Sequence, residues 1–148
     1  MKVEITIPGR PTTKKNSQNA LPFKITFAKP GSKTRLRCPA CGTKLRTLFR
    51  LLQSDAYQNY EEACLWHLKT YRGPKFTGPV RVTCRYWMPN RRSWPDLPGL
   101  YQATADILEK AGIIANDRNI VSMDGSEIMG VDRENPRVEI EIEGADQA

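Results

Sequence analysis

Apolar and polar positions alternate from the first residues. In "KVEITIP" Val3, Ile5 and Ile7 fall on one side, a period of two that predicts a half-buried strand. "GRPTTKKNSQ" follows as a loop, because Gly9 and Pro11 break the ladder. "PFKITFA" predicts a second strand, and from Pro30 to about Arg50 a Gly/Lys/Arg-rich stretch reads as an insertion between elements. The period then changes. Ser54 is placed to cap a helix in which Tyr57, Tyr60, Ala63/Cys64, His67 and Leu68 recur at helical spacing, ending near Tyr71-Arg72-Gly73.

Alternation returns in "GPVRVTCRYWM", residues 78–88, where Val80, Val82, Cys84, Tyr86 and Met88 predict a strand. After the loop "PNRRSWP", a helix is expected from about Leu97 to Ala111. Its core stripe is Leu100, Ala103/Thr104, Ile107, Leu108 and Ala111. Asp96 stands at the N-cap position, Pro98 in the first turn and Gly112 beyond the end. "NIVSMDG" and "RVEIEIE" complete a strand pair. No internal repeat is visible. Strands, helix, strand, helix, strands predict one α+β domain over residues 1–148, with a mixed or antiparallel sheet, two main helices and a basic insertion over 30–50.

Charge narrows the class. The net charge is +7, but residues 1–50 alone carry twelve Lys/Arg against the single acid Glu4, while the rest of the chain is net acidic. A basic segment of this kind suits a polyanion and would steer it electrostatically, although a solvated surface is the plainer reading. No apolar run approaches the length of a membrane span, and "MKVEITIPGR" lacks a signal-peptide layout, so a soluble intracellular protein is expected. The four cysteines then read as thiols or metal ligands.

Four acids fall at element ends: Asp96 at a helix mouth, Asp106 ten residues on at the flank of the apolar stripe near Gly99 and Gln102, Asp117 in "NDRN", and Asp124 in "MDGS". Converging on one edge, such carboxylates would need a cation, and all-oxygen ligation suits Mg²⁺. Each also has a local reading: Asp96 as a cap, Asp106 as a solvent-facing helix residue, Asp117 and Asp124 as turn formers. Lys14 and Lys15 are candidates for phosphate contact or for stabilising charge near a scissile group, Lys15 as a catalytic residue. Arg91 and Arg92 beside Asp96, with Arg35 and Arg37 in the basic stretch, are candidate DNA contacts. Trp94 would stack on an unpaired base or pack over the helix start.

"CPACG" is a C-x₂-C knuckle, half a zinc site. Cys38 and Cys41 would be completed by Cys64 and His67, three apart on the first helix, in a structural Cys₃His site tying the insertion down. Cys84, alternating inward on its strand, reads as core, and Cys64 has that reading too.

"ITIPGRPTTKKNSQ", then "PDL" leading into a helix that ends "ADILEKAGIIANDRNIV", and finally "ENPRVEIEI" resemble the RusA-like Holliday-junction resolvase family of phages and prophages. The resemblance covers most of the chain and is most specific from Asp96 to Val121. It implies a small α+β fold, a homodimer, and Mg²⁺-dependent cleavage of branched DNA in a bacterial cytoplasm. It also implies metal-binding aspartates: Asp96 corresponds to the first, Asp117 to the one in the family's "DD-x-Q-[IV]" stretch, and Asp106 to the acid of its "DAL"-like motif. Two departures stand out. Many relatives read D-x-D-N followed by a helix lysine, where this chain has Pro98 for the second aspartate and Gln102 for the lysine. Either Asp106 or Asp124 completes the site, or the protein binds junctions without cutting them well. The rival readings are a non-catalytic DNA-binding protein using the basic segment and knuckle and, on "CPACG" alone, an RNA-binding zinc ribbon.

Overall fold

The computed structural model describes residues 1–14, 18–23, 48–92 and 94–145, with 18–23 and 48–53 described as backbone. The chain forms two compact units, residues 18–53 and the remainder. The smaller contains an antiparallel pair, β2 (Gln18–Phe23) and β3 (Leu48–Gln53), in register from Gln18↔Gln53 to Phe23↔Leu48. The expected strand "PFKITFA" overlaps β2 only at Pro22 and Phe23; its other residues, like most of the basic insertion, lie outside the described residues.

The larger unit is built on a mixed sheet ordered β1-β7-β4-β5, with β6 also pairing β4. The strands are β1 (Lys2–Pro8), β4 (Val80–Met88), β5 (Ile120–Ser122), β6 (Glu127–Val131) and β7 (Arg137–Gly144). β7 runs antiparallel to both β1 and β4, while β5 and β6 lie parallel to successive parts of β4. The expected pairing of the last two strand segments is therefore corrected: β4 separates β5 from β7. β6 carries no clean alternation, which is why the pattern did not reveal it.

Alternation on β4 and β7 sorts the sheet into two faces. Val80, Val82, Cys84, Tyr86 and Met88, with Val138, Ile140 and Ile142, are buried on one. Arg81, Thr83, Arg85 and Trp87 face the other, opposite Glu143, Glu141, Glu139 and Arg137 of β7. The apolar face is covered by α1 (Asp55–Leu68) and α2 (Leu97–Lys110). Ser54 caps α1 as expected, its hydroxyl accepting from the Tyr57 amide at 3.3 Å. α2 ends as its sequence predicts. Gly112 takes φ +69°, its amide donates to Glu109 O, and the Ile113 amide donates to Leu108 O, closing a Schellman turn over two buried side chains. Among the described residues no helix is long and apolar enough to cross a membrane.

Candidate functional site

α2 brings most of the candidate chemistry together because it runs back along β4, from the strand's C-terminal end. Asp96 is its exposed N-cap residue, in extended conformation, and its side chain makes no capping hydrogen bond. The carboxylate folds toward the first turn: a Cβ added at Gly99 would come within 2.7 Å of Asp96 Oδ1 and 3.2 Å of Thr13 Cγ2. Gly99 thus makes room for both the acid and the buried Thr13, which follows β1. Nothing in the sequence pattern had singled out Gly99 for this.

Positions 96, 99, 103, 106 and 110 follow helical spacing and share one side of α2. On it, Asp106 pairs with the Lys14 ammonium, and both side chains are largely shielded. Lys14 also sits 5.7 Å from the centre of the Tyr57 ring. Tyr57 donates to Glu61 at 3.0 Å, and Glu61 receives Lys110 at 2.6 Å. Burial, then the negative charge of Glu61, pushes the Tyr57 phenol well above its ordinary range, so it stays a donor. Two acids and two lysines are mutually neutralised here. Asp106, one of the expected metal ligands, is engaged by Lys14, one of the expected phosphate contacts; Lys15 lies outside the described residues.

Asp117 belongs to another flank. Its amide donates to Glu109 Oε2 at 3.0 Å, Asn116 caps the short turn through the Arg118 amide, and Asn119 ties it to Thr77 O. The exposed Asp117 lines a hollow of about 370 Å³ with Tyr101, Gln102, Ala105, Val121 and Ser122. Gln102 and Ala105 stand six to nine residues beyond Asp96, roughly 9–14 Å along the helix axis. Asp124 is on the far side of the sheet, where its carbonyl accepts from Thr83 Oγ1 and it shares a hollow with Arg81, Glu141 and Glu143. The expected convergence of four acids on one edge is not seen: among the described residues no three Asp, Glu, His or Cys side chains are close enough to hold one ion. The sequence placed Asp96, Asp117 and Asp124 at or just beyond element ends correctly, whereas Asp106 lies within α2, and it did not show which of these positions are neighbours.

The loop before Asp96 is ordered by Asn90, whose Oδ1 accepts from the Arg92 amide and whose carbonyl accepts from the Trp94 indole. Arg91 and Arg92 are exposed on it, and Trp94 is 39% exposed. The arginines line a hollow of about 610 Å³ with Asn90, Val131 and Arg133; sequence reasoning missed Arg133 because it missed β6.

The cysteine reading divides. Cys64 is fully buried and its thiol is pushed up to about 11 by burial, whereas His67 is exposed on the same helix. Buried, protonated sulfur and solvent-facing imidazole do not make the expected half-site. A zinc ion on Cys38 and Cys41, which with Arg35 and Arg37 lie outside the described residues, would need other partners. Cys84 is core, as alternation predicts, its thiol pushed up to about 12 by burial.

No curated protein matches the chain. A family model described as "Endodeoxyribonuclease RusA" matches residues 28–143, a span that includes both helices, the arginine loop and all four acids. Matched over more than half its length, the chain belongs to the RusA endodeoxyribonuclease family of Holliday-junction resolvases.

Proposed function

We propose that this protein resolves four-way DNA junctions by Mg²⁺-dependent hydrolysis, as a homodimer whose two sites make paired nicks, in phage or prophage recombination, repair or replication. The observation that carries the reading is the family match across Asp96–Asp124. The surroundings of Asp96 support it: an exposed carboxylate at a helix mouth, next to a loop presenting Arg91 and Arg92, in a chain of net charge +7.

Mg²⁺ fits these donors, since it commonly takes one or two carboxylates and fills its remaining positions with water and substrate phosphate oxygens. Asp96 and Asp117, both exposed, are the proposed carboxylates. When bound, the ion would polarise a phosphodiester and lower the pKa of an attacking water. Asp106 acts through Lys14, holding that ammonium beside α2. Lys15, Arg35 and Arg37, which lie outside the described residues, are proposed as further phosphate contacts on the strength of their charge. Asp124, on the other face of the sheet, is left out of the set.

Asp96→Asn and Asp117→Asn test the assignment on synthetic four-way junctions. Each is expected to bind the junction within about twofold of wild type and to cut it at least about a hundredfold more slowly, the scale of losing one transition-state stabiliser. Cleavage by either variant at the wild-type rate overturns its role. One observation favours a second reading, a junction binder that does not cut: the acids do not gather within one chain, and Pro98 and Gln102 replace two expected polar groups. Nicking by the wild type that EDTA abolishes decides against it.

A further inference from the structure

The parallel pairing of β6 with β4 has a topological result. Parallel strands end together, and here Met88 lies opposite Val131, with the Asp132 amide donating to Met88 O at 2.8 Å. The loops leaving these strands, 89–96 and 132–136, therefore emerge side by side. Arg91 and Arg92 come from the first, Arg133 from the second, and all three are exposed. Among the described residues none of the three is within salt-bridge distance of an acid, and no carboxylate lines the hollow. The adjacent Asp132 does not neutralise them: the Asn135 amide and Arg137 hold it, which keeps its carboxyl below the usual range. Arg137 supplies the contrast, since it is paired with both Asp132 and Glu139 and lies over the Trp87 ring.

Three uncompensated guanidiniums around one concavity create a strong demand for an anion, and planar N–H forks match phosphate oxygens. We propose that Arg133 joins Arg91 and Arg92 in a cradle for the DNA sugar–phosphate backbone, which fixes the strand beside Asp96. This rests on the reading of the substrate as DNA. Such contacts position the strand and carry no base preference. Arg133 is a positioning residue: it acts on where the strand lies.

Binding of the full chain to a four-way junction and to linear duplex, in EDTA, as a function of salt, tests the cradle. Arg133→Ala should weaken binding about eightfold near 0.1 M salt and lower the slope of log affinity against log salt by about 0.9, the value for one phosphate contact. The loss should be equal across base sequences. Lys75→Ala, which removes the same charge from an exposed site elsewhere, should leave the slope unchanged. A thermal midpoint equal to wild type shows that the variant is folded, and Arg133→Lys should recover part of the slope. If wild type binds and cuts junctions but Arg133→Ala matches it in affinity and slope, the cradle is refuted and the enzyme reading stands. Unchanged DNA affinity with altered sedimentation would also refute it, pointing to a carboxylate of another chain as the occupant. If wild type binds no DNA, both readings fall.

Discussion

Two charged regions flank the same helix and differ in how their charges are settled. Along the side of α2, Asp106 meets Lys14 and Glu61 meets Lys110, with Tyr57 between them. Before its N-terminus, Arg91, Arg92 and Arg133 surround a hollow with no acid in reach among the described residues. The first region joins a loop and two helices. The second spends no charge on the fold. Compensation inside the chain marks a charge that serves the fold, a distinction that residue type alone does not make.

The sharpest way to break the comparison is to cut the compensated network. Asp106→Asn leaves the Lys14 ammonium, 24% exposed, without its carboxylate. Between the small value of a surface pair and the larger cost of a buried one, the expected loss is about 1–2 kcal/mol, read as a lower urea midpoint. Asp96→Asn should stay within about 0.5 kcal/mol of wild type, because the Asp96 side chain is exposed and gives α2 no capping hydrogen bond to lose. Equal losses at the two positions would erase the difference between the regions.

Arg137→Ala sharpens the comparison. It should lower the midpoint by less than Asp106→Asn and leave the salt dependence of DNA binding unchanged, the reverse of Arg133→Ala. The smallest effect concerns the thiols. Burial raises Cys64 to about 11 and Cys84 to about 12, from an ordinary value near 9. The protonated forms favoured by the fold contribute stability in full below pH 9, and that contribution is lost as pH rises from 9 through the folded values. The midpoint should therefore decline above pH 9. At pH 8 both thiols should resist alkylation until the chain unfolds, and fast labelling of native protein would contradict their burial.

Much of this architecture was legible in the pattern. Period-two alternation located β1, β4 and β7, and Ser54, Asp96 and Gly112 marked helix ends because capping chemistry is local. What escaped depends on pairings between distant residues. β6 has little alternation, so its parallel register with β4, and the approach of Arg133 to Arg91 and Arg92 that follows from it, could not be read. The partnership of Lys14 with Asp106 spans 92 positions and needs the loop laid against α2. Helical spacing suggested that Cys64 and His67 share a face, but not that one is sealed and the other wet.

The interrupted β5–β6 edge has a consequence of its own. The chain runs beside β4 as a three-residue strand, leaves through the turn at Gly125, and returns as a five-residue strand, with register shifts at Val80/Arg81 and Tyr86/Trp87 and Gly130 at φ +148°. A stranger's strand meets no long, flat row of amides to zip onto.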